Sequence, residues 1–155
     1  MGTFRVDIEV ATPGRHPRWA VVKHVIVDSG AEVTWLPEVV LRRLGIAIFK
    51  RDEAFTTADD RRVTRDVGVA LIRHGAFKTV DEVVFARPGD LSLLGARTLE
   101  GFNATIDARH KRLVAGGPAP AAAWAAVGAW RLRSVARGNA LSAPARAPLT
   151  RTVLP

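Results

Sequence analysis

Asp28 is the residue of this chain whose surroundings best suit acid–base chemistry. It ends a largely apolar run at residues 19–27 and is followed at once by Ser29, Gly30 and Ala31. The Ser29 hydroxyl can donate or accept a hydrogen bond, and the two small residues after it let backbone N–H groups approach the carboxylate closely. A bare Asp-Ser-Gly tripeptide is also typical of an Asx turn in an ordinary loop. Both interpretations are open at this point, and the surrounding elements must decide between them.

The segment that leads into Asp28 is predicted to be a strand with both faces covered. Residues 19–27 are rich in β-branched side chains and have apolar residues at both odd and even positions. Upstream, residues 4–10 alternate apolar side chains at even positions with charged ones at odd positions, which predicts a strand with one solvated face. Thr12-Pro13-Gly14 predicts a turn between the two strands.

Most of the remaining chain up to residue 114 is also predicted to form strands. Residues 37–44 are the exception, because proline at the start, apolar residues at helical spacing and Gly45 at the end predict one short helix. Further strands are predicted at residues 33–36, 54–58, 63–72, 77–85 and 91–94. The many short strands, with one or two brief helices, predict an all-β barrel or sandwich.

Two apolar strands of the chain end in the same way. Residues 25–31 and 91–96 each carry an apolar strand into a turn of small residues, and a helical pattern follows both. The two strand ends could therefore pack side by side.

Three features of this chain resemble the retropepsin-like aspartic proteases. They are the run Val-Ile-Val-Asp28-Ser-Gly-Ala-Glu-Val-Thr-Trp-Leu-Pro, the short helix that ends in Leu44-Gly45-Ile46, and the downstream Leu93-Leu94-Gly95. In this family each subunit has a closed β fold and gives one catalytic aspartate. The resemblance implies a closed retropepsin-like acid-protease barrel with one or two short helices, in a domain at residues 3–114. It also implies an aspartic endopeptidase that needs no metal and no cofactor.

Residue by residue, the resemblance assigns roles to the loop after the apolar strand. Asp28 looks like the catalytic aspartate, and Ser29 looks like the hydroxyl residue that braces the two active-site loops across a dimer. Gly30 and Ala31 match the loop that shapes the floor of the cleft. The apolar-apolar-Gly element that packs beneath this loop in the family corresponds to Leu93, Leu94 and Gly95.

The flap that closes over a bound peptide in this family corresponds to residues 55–72. Its tip, which also contacts substrate, corresponds to Ala58, Asp59, Asp60 and Arg61. Asp60 stands where many relatives have glycine, so a turn that needs a positive φ is less comfortable there.

Two further departures from the family pattern concern the active-site loop and its support. Ser29 stands where the family more often has threonine, so the hydroxyl is kept and a methyl group is lost. Ala96 replaces the arginine that directly follows the family's glycine, and Arg97 comes one place later. The usual arginine contact is therefore not carried over, whereas Leu99 fits the pattern.

One aspartate is not enough for this chemistry. Amide hydrolysis by this route needs a base to take a proton from water and an acid for the carbonyl oxygen, and two carboxylates that share one proton supply both. At about 3 Å and an effective dielectric constant of about 20, two like charges repel by roughly 5–6 kcal/mol, so they do not both ionise. The chain holds a single Asp-Ser/Thr-Gly element. The resemblance therefore implies a homodimer that activates water between two copies of Asp28 and cleaves an extended peptide or protein substrate.

Other kinds of site fit the sequence less well. Ser29 lacks the Gly-x-Ser-x-Gly elbow of a serine nucleophile. The acid pairs Asp59-Asp60 and Asp81-Glu82 are interpreted as solvated charges at turns or strand starts. With no cysteine in the chain we predict no metal site, since metal-ligand spacing is also missing among His16, His24, His74 and His110.

The net charge of +8 is concentrated in the C-terminal tail. Residues 1–114 hold 18 of the 23 Lys and Arg and all 15 Asp and Glu, whereas residues 115–155 hold five Arg and no acid. The balanced body argues against a nucleic-acid partner. Residues 115–155 are rich in Ala, Pro and Arg, which predicts a low-complexity tail, partly helical or disordered. Early charged residues and the lack of about 18 consecutive apolar residues predict a cytoplasmic protein without a membrane partner.

Two other functions stay open. A non-catalytic dimeric peptide-binding module could use the same fold, but it would not need Asp28, Ser29 and Gly30 together. The basic tail could instead bind a nucleic acid or an anionic membrane. In that case deletion of residues 118–155 would abolish binding, and salt would weaken it steeply.

Overall fold

The computed structural model describes residues 3–118 of the chain, and this part consists mainly of strands. The strands are β1 (Arg5–Ala11), β2 (Trp19–Val27), β3 (Thr34–Pro37), β4 (Ile48–Thr56), β5 (Arg62–His74), β6 (Phe77–Ala86), β7 (Leu93–Leu94), β8 (Ala104–Asp107) and β9 (Arg112–Ala115). The helices are α1 (Glu38–Arg43) and α2 (Ala96–Gly101). The predicted all-β class is confirmed. From residue 119 onward the predicted tail lies outside the described residues, so the division at residue 114 stays a prediction.

β7 is a two-residue strand inserted between β2 and β3. The large sheet has the order β1-β2-β7-β3-β6-β5-β4, and β1 also pairs with β5. β7 runs antiparallel to β3 and parallel to β2, with Leu93 beside Ile26 and Leu94 beside Val27. The expectation that these two apolar strand ends pack side by side is confirmed. β3 and β6 form a second parallel pair.

The alternation predicted for β1 is confirmed, whereas β2 is less covered than predicted. The even-numbered apolar residues of β1 are buried. In β2, Val25 and Val27 are buried, but Val21 is 55% exposed, so the prediction of two covered faces is wrong for the first half of the strand. The reason is a bulge at Lys23 and His24, where φ of His24 is +58°: it shifts the alternation, so that Val22, Val25 and Val27 are buried while Val21 is exposed.

One hydrophobic cluster unites the large sheet with both helices. α1 contributes the fully buried Leu41, follows Pro37 and ends just before Gly45, where φ is +72°. The helix predicted at residues 37–44 is therefore confirmed, with proline and glycine in the positions that favour a start and a stop. Other fully buried members of the cluster are Val10, Val25, Leu36, Ala70, Ile72, Val83 and Leu94.

β5 is a long strand that belongs to two hairpins, one with β4 and one with β6. Its first half pairs with β4 and its second half pairs with β6. Near the changeover, a Cβ on Gly68 would lie 2.7 Å from both the Ala47 carbonyl oxygen and Ile46 Cγ2, so glycine permits the close approach. β4 begins well before the predicted strand at 54–58, because two register shifts and a positive φ at Asp52 break the alternation that would predict it.

β8 and β9 form a separate two-stranded sheet after α2. The sequence does not predict either strand, because each is only four residues long and too short for a clear alternation. Leu113 of β9 is buried and joins the hydrophobic cluster.

Candidate active site

Asp28 directly follows β2 and is held between two other parts of the sheet. Its backbone N–H donates to the Leu94 carbonyl oxygen of β7 at 3.1 Å. The preceding N–H, from Val27, donates to the carbonyl oxygen of Phe4, just before β1, at 2.9 Å. Because both bonds come from the backbone of neighbouring segments, the sheet itself fixes where the Asp28 side chain begins.

The loop after Asp28 folds back onto the carboxylate. The Gly30 N–H donates to Asp28 Oδ1 at 2.9 Å, and the Ala31 N–H lies 3.4 Å from the Asp28 carbonyl oxygen. A Cβ on residue 30 would lie 3.2 Å from Oδ1, so glycine favours this approach. The bond to the residue two places later is that of an Asx turn. The Asx-turn interpretation of Asp-Ser-Gly is therefore confirmed, and the same hydrogen bond holds the Asp28 carboxylate in place.

The tip of this loop faces outward on the single chain. Ser29 and Gly30 are exposed, and Asp28 is half-buried. A hydroxyl and a carboxylate are therefore both accessible to a ligand or to a second copy of the chain.

Leu93, Leu94 and Gly95 lie directly against the Asp28 loop. Leu94 and Gly95 are buried, and a Cβ on Gly95 would lie 2.6 Å from the Val33 carbonyl carbon and 2.7 Å from its oxygen. Real Cβ atoms do not approach backbone this closely, so any larger residue would push the loop away. Glycine at position 95 thus sets the height of the loop above β7.

The start of α2 holds the same loop by hydrogen bonds. The Ala96 N–H donates to the Ala31 carbonyl oxygen at 2.8 Å, and the Arg97 N–H donates to that of Glu32 at 3.1 Å. The first N–H groups of a helix have no partner within the helix, so the loop satisfies groups that would otherwise need water. The Asp28 loop, β7 and α2 are therefore one hydrogen-bonded unit.

The turn between β4 and β5 contains the residues predicted as a flap tip. Ala58, Asp59, Asp60 and Arg61 are all exposed. The Thr57 N–H donates to the Arg61 carbonyl oxygen at 2.9 Å, which closes the turn. Asp60 has a φ of +59°, so the position does require the left-handed conformation, and aspartate adopts it more readily than most residues.

The Asp59 side chain bridges this turn. Its carboxylate accepts a hydrogen bond from Thr57 Oγ1 at 2.5 Å and one from Arg61 Nε at 2.6 Å. The Thr57 hydroxyl, followed by the Arg61 guanidinium, holds the pKa of Asp59 below its ordinary value. The ionised carboxylate thus links both sides of the hairpin tip.

An aromatic contact joins the hairpin to the strand next to β7. Trp35 of β3 and Phe55 of β4 have ring centroids 5.1 Å apart at an interplanar angle of 67°. This edge-to-face arrangement is a favourable one for aromatic pairs. It ties the hairpin to the strand that follows the Asp28 loop, and the sequence has no signal for it because the two residues are far apart in the chain.

A cavity of about 270 Å³ lies between the Asp28 loop and β4. Its lining combines apolar and charged side chains, namely those of Glu32, Val33, Lys50, Glu53, Ala54, Phe55, Val67, Glu82 and Arg97. Ligand sites are usually lined mainly by apolar side chains, whereas five of these nine residues are charged and residues 28–31 do not line the cavity. Five separate segments supply the lining, so spacing in the sequence could not reveal it.

The interpretation of Asp81-Glu82 as solvated charges is wrong. Asp81 is only 8% exposed, because β6 carries it under α2, where it accepts a hydrogen bond from the Thr98 hydroxyl. Glu82 is half-buried and pairs with Lys50 at 3.0 Å and with Arg97 at 3.2 Å. Lys50, followed by Arg97, holds the pKa of Glu82 below its ordinary value. Arg97 also pairs with Asp81. Both acids therefore form ion pairs with α2, the helix whose first N–H groups bind the Asp28 loop.

Comparisons with known proteins add no assignment: no protein-family model matches this chain, and no curated protein matches it. Among residues 3–118, the His, Asp and Glu side chains form no group of three or more that could hold a metal ion. None of the helices in this part of the chain is long and apolar enough to cross a membrane. Function is therefore inferred from the geometry around Asp28.

Proposed function

We propose that this chain is a retropepsin-like aspartic endopeptidase that acts as a homodimer, with water activated between two copies of Asp28. The observation that carries the proposal is the placement of Asp28. It ends a strand, its N–H is bound by β7, and its carboxylate is held by the Gly30 N–H. A catalytic carboxylate needs this kind of support, because a small displacement of the reacting group costs much of the rate.

The strand pairings support a closed acid-protease barrel. Successive pairs run from β1 through β2, β7, β3, β6 and β5, and the extra pairing of β5 with β1 returns to the first strand. At that closing pair Val10 lies beside Ile72, and both are fully buried. In such a ring the Asp28 loop would follow β2 and be supported by the strands on either side of it.

The exposure of the loop supports a dimer. Each chain has one Asp-Ser-Gly element, and a two-fold axis beside Ser29 and Gly30 would bring two Asp28 carboxyl groups together. The Ser29 hydroxyls would then brace the two loops against each other. Close approach forces the pair to share a proton, as two like charges at about 3 Å repel too strongly to ionise together.

The paired carboxyl groups can carry out hydrolysis without another catalyst. The ionised Asp28 takes a proton from water, the water oxygen bonds to the peptide carbonyl carbon, and the partner subunit's Asp28 gives its proton to the carbonyl oxygen. In the resulting tetrahedral intermediate, the first Asp28 passes its new proton to the amide nitrogen. The C–N bond then breaks, and a hydroxyl proton of the intermediate returns to the partner subunit's Asp28 as the carbonyl forms again.

The β4–β5 hairpin supports an extended peptide as the substrate. The cavity between β4 and the Asp28 loop can take a substrate side chain, and strand-like peptides alternate such side chains with backbone groups that bind neighbouring strands. The hairpin can also cover the peptide and exclude bulk water from the reaction.

The direct test is cleavage of a peptide library by the wild type and by Asp28→Asn over a range of pH. We expect Asp28→Asn to remain folded and dimeric by analytical ultracentrifugation and to lose at least about 10³-fold in kcat, because the asparagine cannot serve as the base. Asp7→Asn is the matched control, since an amide oxygen can still accept the hydrogen bond from the His24 N–H. It should keep wild-type activity.

Two outcomes would contradict the proposal. One is cleavage by Asp28→Asn at the wild-type rate. The other is a wild type that binds library peptides as a dimer and leaves all of them intact, which would favour the non-catalytic peptide-binding module.

A further inference from the structure

A series of hydrogen-bonded, buried polar side chains lies beneath the Asp28 loop. Thr34 and Thr98 are fully buried, and Asp81 is 8% exposed. The Gly95 N–H donates to Thr34 Oγ1 at 3.0 Å. The two threonine hydroxyls are 2.7 Å apart, and Thr98 Oγ1 donates to Asp81 Oδ2 at 2.8 Å. Four residues, from β3, from β6 and from the start of α2, thus form one continuous series of hydrogen bonds.

The direction of this series is fixed by its acidic end. An ionised carboxylate only accepts hydrogen bonds, so the single hydroxyl proton of Thr98 is used on Asp81. Thr98 Oγ1 must then accept from Thr34, and Thr34 Oγ1 in turn accepts from the Gly95 N–H. Each hydroxyl thus donates one hydrogen bond and accepts one. All the bonds of the series point toward the Asp81 carboxylate, starting from the Gly95 N–H.

The second oxygen of Asp81 anchors the carboxylate from the other side. Oδ1 accepts the Glu82 N–H at 2.8 Å and lies 3.2 Å from Arg97 Nη2. Thr98 and Arg97 are neighbours on α2, so both oxygens of Asp81 hold the same helix. Within residues 3–118 no buried side-chain nitrogen or oxygen lacks a partner. Removing one hydroxyl would therefore leave an unpaired polar group on each side of it.

The far end of the series reaches the backbone that carries Asp28. Gly95 follows Leu94, whose carbonyl oxygen accepts the Asp28 N–H. α2, which Asp81 holds, donates its first N–H groups to the loop at Ala31 and Glu32. The Asp81 carboxylate thus reaches the Asp28 loop by two routes, one through Thr98, Thr34 and the backbone of residues 94–95, and a shorter one through α2.

We propose that Asp81 is a positioning residue, which acts through Thr98 and Thr34 to set the height and orientation of the Asp28 loop. The catalytic consequence rests on the proposed function, whereas the effect on the loop does not. A residue that only stabilises the fold would change the unfolding free energy without a selective effect on this loop.

The test removes one hydroxyl without changing the shape of the core. Thr98→Val breaks the series, Thr98→Ser restores the hydroxyl, and Thr105→Val makes the same change at an exposed threonine of β8. The same Val and Ser pair is made at Thr34, so the test does not depend on the folding of one variant. Thermal melts and circular dichroism verify the fold of each protein.

Amide hydrogen exchange gives a readout that needs no enzymatic activity. We expect amides in residues 28–34 and 94–98 to exchange about tenfold faster in Thr98→Val, because an unsatisfied buried hydrogen bond weakens this unit. Amides at the β1–β5 pairing, residues 9–11 and 71–73, should be unchanged. Exchange in Thr98→Ser and Thr105→Val should match the wild type.

Steady-state kinetics on a cleaved peptide give the catalytic readout. Thr98→Val should lower kcat about tenfold with KM within about twofold, and Thr98→Ser should recover most of kcat. Faster exchange without any cleavage by the wild type would reject the proposed protease and retain the positioning role. Unchanged exchange at residues 28–34, or uniformly faster exchange over the whole chain, would overturn the positioning role itself.

Discussion

At the scale of single residues, close backbone approaches define the candidate site as much as the carboxylate does. Gly30 allows its N–H to reach Asp28 Oδ1, and Gly95 allows β7 to lie against the loop. Neither glycine has a positive φ, so it is space, and not backbone conformation, that requires them. A side chain at position 95 would move the loop, whereas one at position 30 would press on the Asp28 carboxylate.

Gly95→Ala tests this requirement. The new Cβ would lie within 2.6–2.9 Å of the backbone of Val33 and Glu32, so the loop must shift, and we expect a loss of about 1–3 kcal/mol in the free energy of unfolding. Gly14→Ala is the matched control, since nothing lies within 4 Å of its Cβ. Urea denaturation measures both. Equal stability of Gly95→Ala and the wild type would show that the loop is not packed as described.

At the scale of elements, the long strand β5 is tied to the turn that leads into β7. Arg65 Nε and Nη2 donate to the two oxygens of Asp90 at 2.7 and 2.8 Å, and the Arg87 N–H donates to the same carboxylate at 2.7 Å. The Arg65 hydrogen bonds are the main reason that the pKa of Asp90 lies below its ordinary value. The two side chains are only 13% and 17% exposed, so solvent screens the pair little.

This ion pair predicts a pH dependence of stability. A carboxyl group whose pKa is lowered by folding stabilises the folded state above its unfolded pKa of about 3.9, and this contribution is lost as the pH falls through the folded pKa. At pH 7, Asp90→Asn should therefore cost about 1–3 kcal/mol. The difference from the wild type should shrink as the pH falls below about 4.

Urea unfolding at several pH values measures this difference. Glu100→Gln, which changes an exposed carboxylate on α2, is the control and should leave the curve unchanged. A cost of Asp90→Asn that is the same at pH 7 and at low pH would show that the ion pair does not contribute as described.

The sequence predicted most elements because their local patterns are strong. The alternation in β1 and the proline and glycine around α1 agree with the structure. The strand before Asp28 is also present, but only its second half is covered as predicted. β4 was predicted too short because its bulges interrupt the alternation. β8 and β9 are not predicted, because a strand of four residues is too short to show the two-residue alternation of apolar and polar side chains.

The support of the site was harder to predict than the site itself. Asp81 looks like a surface acid in the sequence, but the packing of α2 against β6 buries it. Trp35 and Phe55 meet across the sheet for the same kind of reason. Contacts between distant segments leave no local pattern, so they become visible only once the strand order is known.

At the scale of the whole molecule, the central claim is that one chain holds half of an active site. The loop that carries Asp28 and Ser29 is accessible, and one chain offers a single such loop. Two carboxyl groups that share a proton can act as base and acid in turn, whereas one ionised carboxylate can act only as the base. Activity should therefore belong to the dimer.

Mixed dimers test this claim most directly. Wild-type and Asp28→Asn chains are refolded together in equal amounts, and peptide cleavage is measured per total chain. If both copies of Asp28 are required, only wild-type pairs are active and the specific activity falls to about one quarter of the wild-type value. A fall to only about one half would mean that each Asp28 works independently, and it would contradict the shared active site.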